Sequence, residues 1–145
     1  MPTLRFHITD AGRSASLFPD EVRDCTVRSL ALALGWSYDR AHAVTEVHGR
    51  RYRRKFNVRK ILDSDYFSRV MKGYLLSETH HPRMTVRRLL AIHPQITLII
   101  QIKGHVLTVK NSTVYDECRN YVGAGSWVRK YWVVQEKFQD PENSS

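Results

Sequence analysis

The segment ITLIIQIKGHVLTVKNSTVYD, residues 96–116, constrains the fold more than any other part of the chain. Three runs rich in β-branched residues are separated by two short breaks, Lys103-Gly104 and Asn111-Ser112. β-Branched side chains pack well on a pleated surface. Two-residue breaks carrying Gly or Asn suit tight hairpins. The spacing therefore predicts an antiparallel meander. A further run, WVRKYWVVQEKF from Trp127 to Phe138, has the same composition and predicts another strand.

The chain ahead of this segment has a different period. In DCTVRSLALALG, residues Val27, Leu30, Ala31 and Leu34 fall at i, i+3, i+4 and i+7, and Leu32 and Ala33 widen that face. This predicts a helix buried nearly all round, with Asp24 as N-cap and Gly35 as the C-terminal stop. Ser37 is a second N-cap, for YDRAHAVTEVH, which ends at Gly49. A short helix is expected over Val58–Leu62, and Thr85 caps TVRRLLAI ahead of His93-Pro94. LRFHI predicts one short strand near the start, while residues 63–84 fit no single pattern. Gly123–Ser126 (GAGS) reads as a hairpin turn. Helices first and strands later argue for an α+β fold, with N-terminal helices packed on a C-terminal antiparallel sheet.

The 145 residues suit a single domain, large enough to fold without a disulfide or metal. We expect it to span 1–139, with 140–145 a disordered polar tail. The N-terminus MPTLRFHITDAGRS lacks the apolar core of a signal peptide. No run approaches the roughly 20 apolar residues of a membrane helix. A cytoplasmic protein without a membrane partner is expected. Two cysteines, Cys25 and Cys118, are too few for a disulfide scaffold. Reduced thiols are the simpler reading, with one Cys25–Cys118 bridge as the alternative. The histidine and cysteine spacings match no zinc site, and no glycine-rich phosphate loop is present, so neither metal nor cofactor is expected.

The net charge of +9 favours polyanions as partners. It is concentrated in GRRYRRKFNVRK, where seven residues are Arg or Lys. Arg50, Arg51, Arg53, Arg54 and Lys55 form a candidate basic face. Tyr52 and Phe56 among them suit single-stranded nucleic acid; a solvated face is the plainer alternative.

Cys25 opens a helix, where a thiol's pKa is lowered. A nucleophilic thiol needs a base, and the base an orienting group. His105 opens one predicted strand and Asp116 closes the next. If these strands pair through the Asn111-Ser112 turn, the two residues lie side by side. The ordinary alternatives are a packing role for Cys25, a strand-end role for His105 and a turn cap for Asp116.

The segments RDCTVRSLALALGWSYDRAH and TVRRLLAIHPQITLIIQIKGHVLTVKNSTVYDE resemble papain-like cysteine peptidases. They look most like small phage and bacterial forms, related in outline to bacteriocin-processing peptidases. The resemblance spans roughly residues 20–117. It implies Cys25 as nucleophile, His105 as general base and acid, and Asp116 as orienter. Papain-like enzymes place a glutamine ahead of the cysteine as an oxyanion donor; here no glutamine precedes Gln95. Ser14, Ser16 or the Cys25 backbone N–H are the candidate substitutes. The expected activity is hydrolysis of a peptide, isopeptide or amide bond in a protein or peptide substrate, acidic if the basic residues rim the site. The alternatives are an inactive papain-like phage protein binding nucleic acid or an acidic host protein through its basic face, and an acyltransferase or transglutaminase-like enzyme using the same three residues.

Overall fold

A computed structural model describes residues 4–76 and 83–135. The elements in chain order are β1 (Arg5–Ile8), α1 (Cys25–Leu34), α2 (Tyr38–Val47), α3 (Val58–Leu62), β2 (Met71–Leu75), α4 (Val86–Ile92), β3 (Leu98–Ile102), β4 (His105–Lys110), β5 (Thr113–Asp116) and β6 (Lys130–Val134). Among the described residues the fold is α+β, with four α-helices and one six-stranded sheet in the order β1-β5-β4-β3-β6-β2.

The meander of β3, β4 and β5 is antiparallel throughout. Asn111 and Ser112 both have positive φ, the backbone that a two-residue type I′ hairpin requires. The expectation of a purely antiparallel sheet is corrected at one edge. β1 pairs with β5 in parallel, Arg5 with Thr113 through Ile8 with Asp116, so the sheet is mixed. A parallel pair needs a crossover connection, and α1 to α4 all lie between the two strands in sequence.

The central strands β3 and β4 are buried on both faces. Ile99, Val106 and Trp132 pack with α1, α2 and α3 in one core. Leu98, Ile100, Ile102, Leu107, Val109 and Val114 pack with Val86, Leu89 and Leu90 of α4 in the other. This explains why β3 reads as a nearly continuous apolar run rather than an alternating one. The Thr108 hydroxyl donates to the Ser29 carbonyl at 2.9 Å, which fixes β4 against α1.

The helix ends follow local chemistry. Ser37 accepts from the Arg40 N–H and Thr85 from the Arg88 N–H, as N-caps do. Gly35 adopts φ 67°, and its N–H bonds the Ala31 carbonyl. Asp24 occupies the N-cap position of α1, but its side chain makes no cap bond. Gly123–Ser126 does turn, with the Ser126 N–H on the Gly123 carbonyl at 3.0 Å. It joins no hairpin, because β5 and β6 do not pair. Its carbonyls at Ala124 and Ser126 instead accept the Arg87 and Val86 N–H groups that open α4. The expected tail, 140–145, lies outside the described residues.

Candidate active site

Three elements meet at one point. Cys25 is the first residue of α1, His105 the first of β4 and Asp116 the last of β5. β4 pairs with β5 with Thr108 opposite Tyr115. One step further along that register, Leu107 faces Asp116, so His105 and Asp116 are diagonal neighbours. His105 Nε2 lies 2.6 Å from Asp116 Oδ2. With Nε2 engaged, Nδ1 is the ring nitrogen left for the thiol.

The electrostatics of the three groups are linked. Burial pushes the Cys25 thiol up, but the hydrogen bond and charge of His105, the Val106 backbone N–H and the Arg28 charge together bring it below its ordinary range. Burial pushes His105 down, yet its bonds and charge interactions with Asp116 and Cys25 raise it to about 9. Burial likewise raises Asp116, while His105 and Arg28 hold it below the usual carboxylate range. A buried carboxylate against two cationic groups favours the imidazolium, and the imidazolium favours the thiolate.

Behind Asp116 stands an ionic network that sequence reading missed. Arg28 is only 4% exposed. Its Nη1 donates to Asp116 Oδ1 at 2.7 Å and its Nε to Asp24 Oδ1 at 3.1 Å. The Glu117 N–H also donates to Asp116 Oδ1, at 2.8 Å. Asp24 further accepts from Tyr38 Oη at 2.7 Å and from Arg13, whose other arm reaches Glu117 at 2.6 Å. Asp24 is therefore spent on side chains, which is why it does not cap α1. The signal in the sequence is an arginine as the one charged residue of a mostly apolar helix, four residues after an aspartate.

A cleft of about 400 Å³ lies beside the thiol. Cys25 and Thr26 line it from α1, Lys55 to Arg59 from the segment entering α3, and Gln101 from β3. Gly104, His105, Val106 and Arg129 complete the wall with Ile102. Neither Ser14 nor Ser16 lines it. Ser14 is exposed, and the Ser16 hydroxyl donates to the Arg13 carbonyl at 2.7 Å. Gln101, which follows the cysteine in the chain, does line it, with its Oε1 accepting from Arg59 Nε at 2.7 Å. Tyr121 flanks the imidazole, ring centroids 4.9 Å apart. Both cysteines are free thiols, Cys118 partly exposed.

Arg50 is withdrawn from the basic face, which corrects the sequence reading at that residue, while Arg51, Arg53, Arg54 and Lys55 are exposed. Arg50 is buried, donating to Glu21 at 2.9 Å and to the Val22 carbonyl at 3.1 Å. Arg53 takes a left-handed backbone, its N–H on Glu21 at 2.6 Å and its guanidinium on the Asp20 carbonyl at 3.1 Å. Lys55 reaches the Gly104 carbonyl at 2.7 Å. Arg51 and Arg54 are exposed. Glu21 organises this segment, because it also bonds His42 at 2.7 Å.

The chain matches no protein-family model, no curated protein and no solved structure. No helix among the described residues is long and apolar enough to cross a membrane.

Proposed function

We propose that this chain is a papain-like thiol hydrolase that cleaves a peptide, isopeptide or amide bond. The observation that carries the reading is the convergence of a thiol, an imidazole and a carboxylate from three elements on one cleft, with the thiol lowered and the imidazole raised. Paired shifts of that kind are what a nucleophile and its base require.

In this scheme the Cys25 thiolate attacks the carbonyl carbon of the scissile bond. The carbonyl π electrons move to oxygen, and the oxyanion meets the donors the cleft offers. These are the Cys25 N–H, which has no intrahelical partner at the first turn, and the Gln101 side-chain amide. The intermediate collapses by breaking the C–N bond, and the leaving amine takes its proton from His105. The acyl group remains on Cys25 as a thioester. Water then attacks that carbonyl while the neutral imidazole takes its proton. The carboxylic acid departs, and sulfur regains its electron pair beside a protonated His105. Asp116 holds the ring throughout and stays ionised against Arg28.

Alkylation by iodoacetamide at about pH 6, read by mass spectrometry, tests the reading. An ordinary thiol titrates near 9.0 and is almost wholly protonated at that pH. We expect Cys25 to react on the order of 100-fold faster than Cys118, and His105→Ala to abolish the difference. If Cys25 reacts no faster than Cys118 in the wild type, the thiol is a packing residue and the hydrolase reading fails.

A further inference from the structure

We propose that the cleft beside Cys25 selects an acidic peptide, with Arg129 as the residue that meets a substrate carboxylate and Lys55 and Arg59 supplying the surrounding positive field. This deepens the hydrolase reading and rests on it.

The argument begins with which cations are neutralised. Elsewhere among the described residues, four buried or half-buried cations are paired with carboxylates. Arg13 meets Asp24 and Glu117, Arg28 meets Asp24 and Asp116, Arg50 meets Glu21 and Lys130 meets Asp63. The cleft holds no such pair: Lys55 and Arg129 are exposed and Arg59 is half-buried. Three cations line it, Lys55, Arg59 and Arg129, and no Asp or Glu does. Lys55 and Arg59 spend one donor each on neutral acceptors, the Gly104 carbonyl and the Gln101 amide oxygen. Among the described residues the Arg129 guanidinium forms no hydrogen bond or ion pair.

Arg129 is nevertheless well placed to hold a ligand, because its backbone is fixed on both sides. Its N–H donates to the Gln101 carbonyl at 2.8 Å, and its carbonyl accepts from the Leu76 N–H at 2.9 Å. An anchored backbone lowers the ordering cost of binding. Like charges gathered in a cleft repel one another and focus potential on an entering anion. A guanidinium offers two parallel donors to a carboxylate.

The substrate class follows from the chemistry of the neighbours. The acyl transfer proposed for Cys25 needs a carbonyl carbon, which a peptide supplies and a phosphodiester does not. Phe56, Val58 and Ile102 give the same cleft apolar wall for a peptide's carbon skeleton. A cleft of about 400 Å³ has room for a short peptide segment of a few residues.

The experiment uses three electrophiles on the full chain. Iodoacetamide reports whether Cys25 is a working nucleophile. Two peptidyl vinyl sulfones, acetyl-Glu-Glu-Gly and acetyl-Gln-Gln-Gly, report charge selection; the thiolate adds to the vinyl carbon and the adjacent carbanion takes a proton. We expect the acidic probe to label Cys25 about tenfold faster than its neutral twin at low salt, with the ratio falling as salt screens the site. Arg129→Gln should bring that ratio down severalfold, and Arg129→Glu should invert it. A ratio near one, with Cys25 still reactive to iodoacetamide, overturns the acidic-peptide assignment and leaves the hydrolase reading standing. So does a ratio that both Arg129 variants retain. An oligothymidine that protects Cys25 at lower concentration than a free acidic peptide assigns the cations to a polynucleotide, which also overturns it. A Cys25 inert to iodoacetamide overturns both.

Discussion

Arg28 is the residue on which the site depends most without touching the thiol's own partner ring. It is buried, and it bridges two carboxylates from elements far apart in sequence, Asp24 and Asp116. Removing one member of a buried ionic group leaves the others uncompensated, at a cost of about 3–5 kcal/mol. We expect Arg28→Met to lower the melting temperature by on the order of 10 °C for a chain this size. Arg28→Lys keeps the charge but not the fork that serves both acids, because an ammonium cannot reproduce paired guanidinium donors. It should fold, with Cys25 alkylation at about pH 6 slowed severalfold. A thermally stable Arg28→Met would show that Asp24 and Asp116 find other partners. Cys25, His105 and Asp116 were legible as candidates because a thiol at a helix start and an acid at a strand end are local facts. The role of Arg28 was not, because Asp24 is its neighbour in sequence but Asp116, the acid that holds the imidazole, lies 88 residues away.

At the scale of elements, the sheet's edges explain what was hard to read. β2 is an edge strand containing Lys72 and Gly73, and it is mostly exposed. Such composition disfavours strand by propensity, and pairing with β6 forms the strand regardless. Gly73 faces Trp132 across that pair. A Cβ at Gly73 would lie 2.9 Å from Trp132 Nε1 and 2.9 Å from Lys130 Cε. The lysine end can move. The indole cannot move freely, because it is buried and its N–H is held by Asp63 at 2.9 Å. Gly73→Ala should therefore destabilise by about 1–3 kcal/mol, measured by chemical denaturation. An unchanged midpoint would mean that the β2–β6 edge yields. The central strands gave a strong signal for the opposite reason: burial on both faces demands unbroken apolar runs.

At the scale of the whole molecule, pH dependence follows from two opposed titrations. His105 rises to about 9 in the folded state from an ordinary 6.5. Its contribution to stability is complete below 6.5 and is lost as pH climbs through about 9. Cys25 is lowered from 9.0, so its contribution is complete above 9.0 and is lost as pH falls toward its folded value. Between about pH 6.5 and 9 the two slopes oppose each other. We expect the wild type to show a shallow dependence of melting temperature there. Cys25→Ser should expose a downward slope, because Asp116 still raises His105, and adding His105→Ala should remove it. Identical slopes in wild type and Cys25→Ser would mean that folding does not lower the Cys25 thiol. On the acid side, Glu21 is drawn down to about 2: burial raises it, but the Arg50 and His42 bonds outweigh that. Its contribution is complete above 4.5 and is lost as pH falls toward 2, so Glu21→Gln should flatten the acid limb of the stability curve.

The sequence by itself determined the helices, the meander with its two turns, and a set of residue types suited to thiol chemistry. These rest on periodicity, caps and turn residues, which act over a few positions. Tertiary structure alone decided the parallel docking of β1, the forming of β2 at the far edge, and the division of the basic run into the buried Arg50, the cleft-lining Lys55 and the exposed Arg51 and Arg54. It also decided that Asp24 would serve Arg28 and Tyr38 rather than its own helix. Each of these is settled by which partner a side chain or strand edge meets across the fold, and strand edges and charged side chains carry no local mark of that partner.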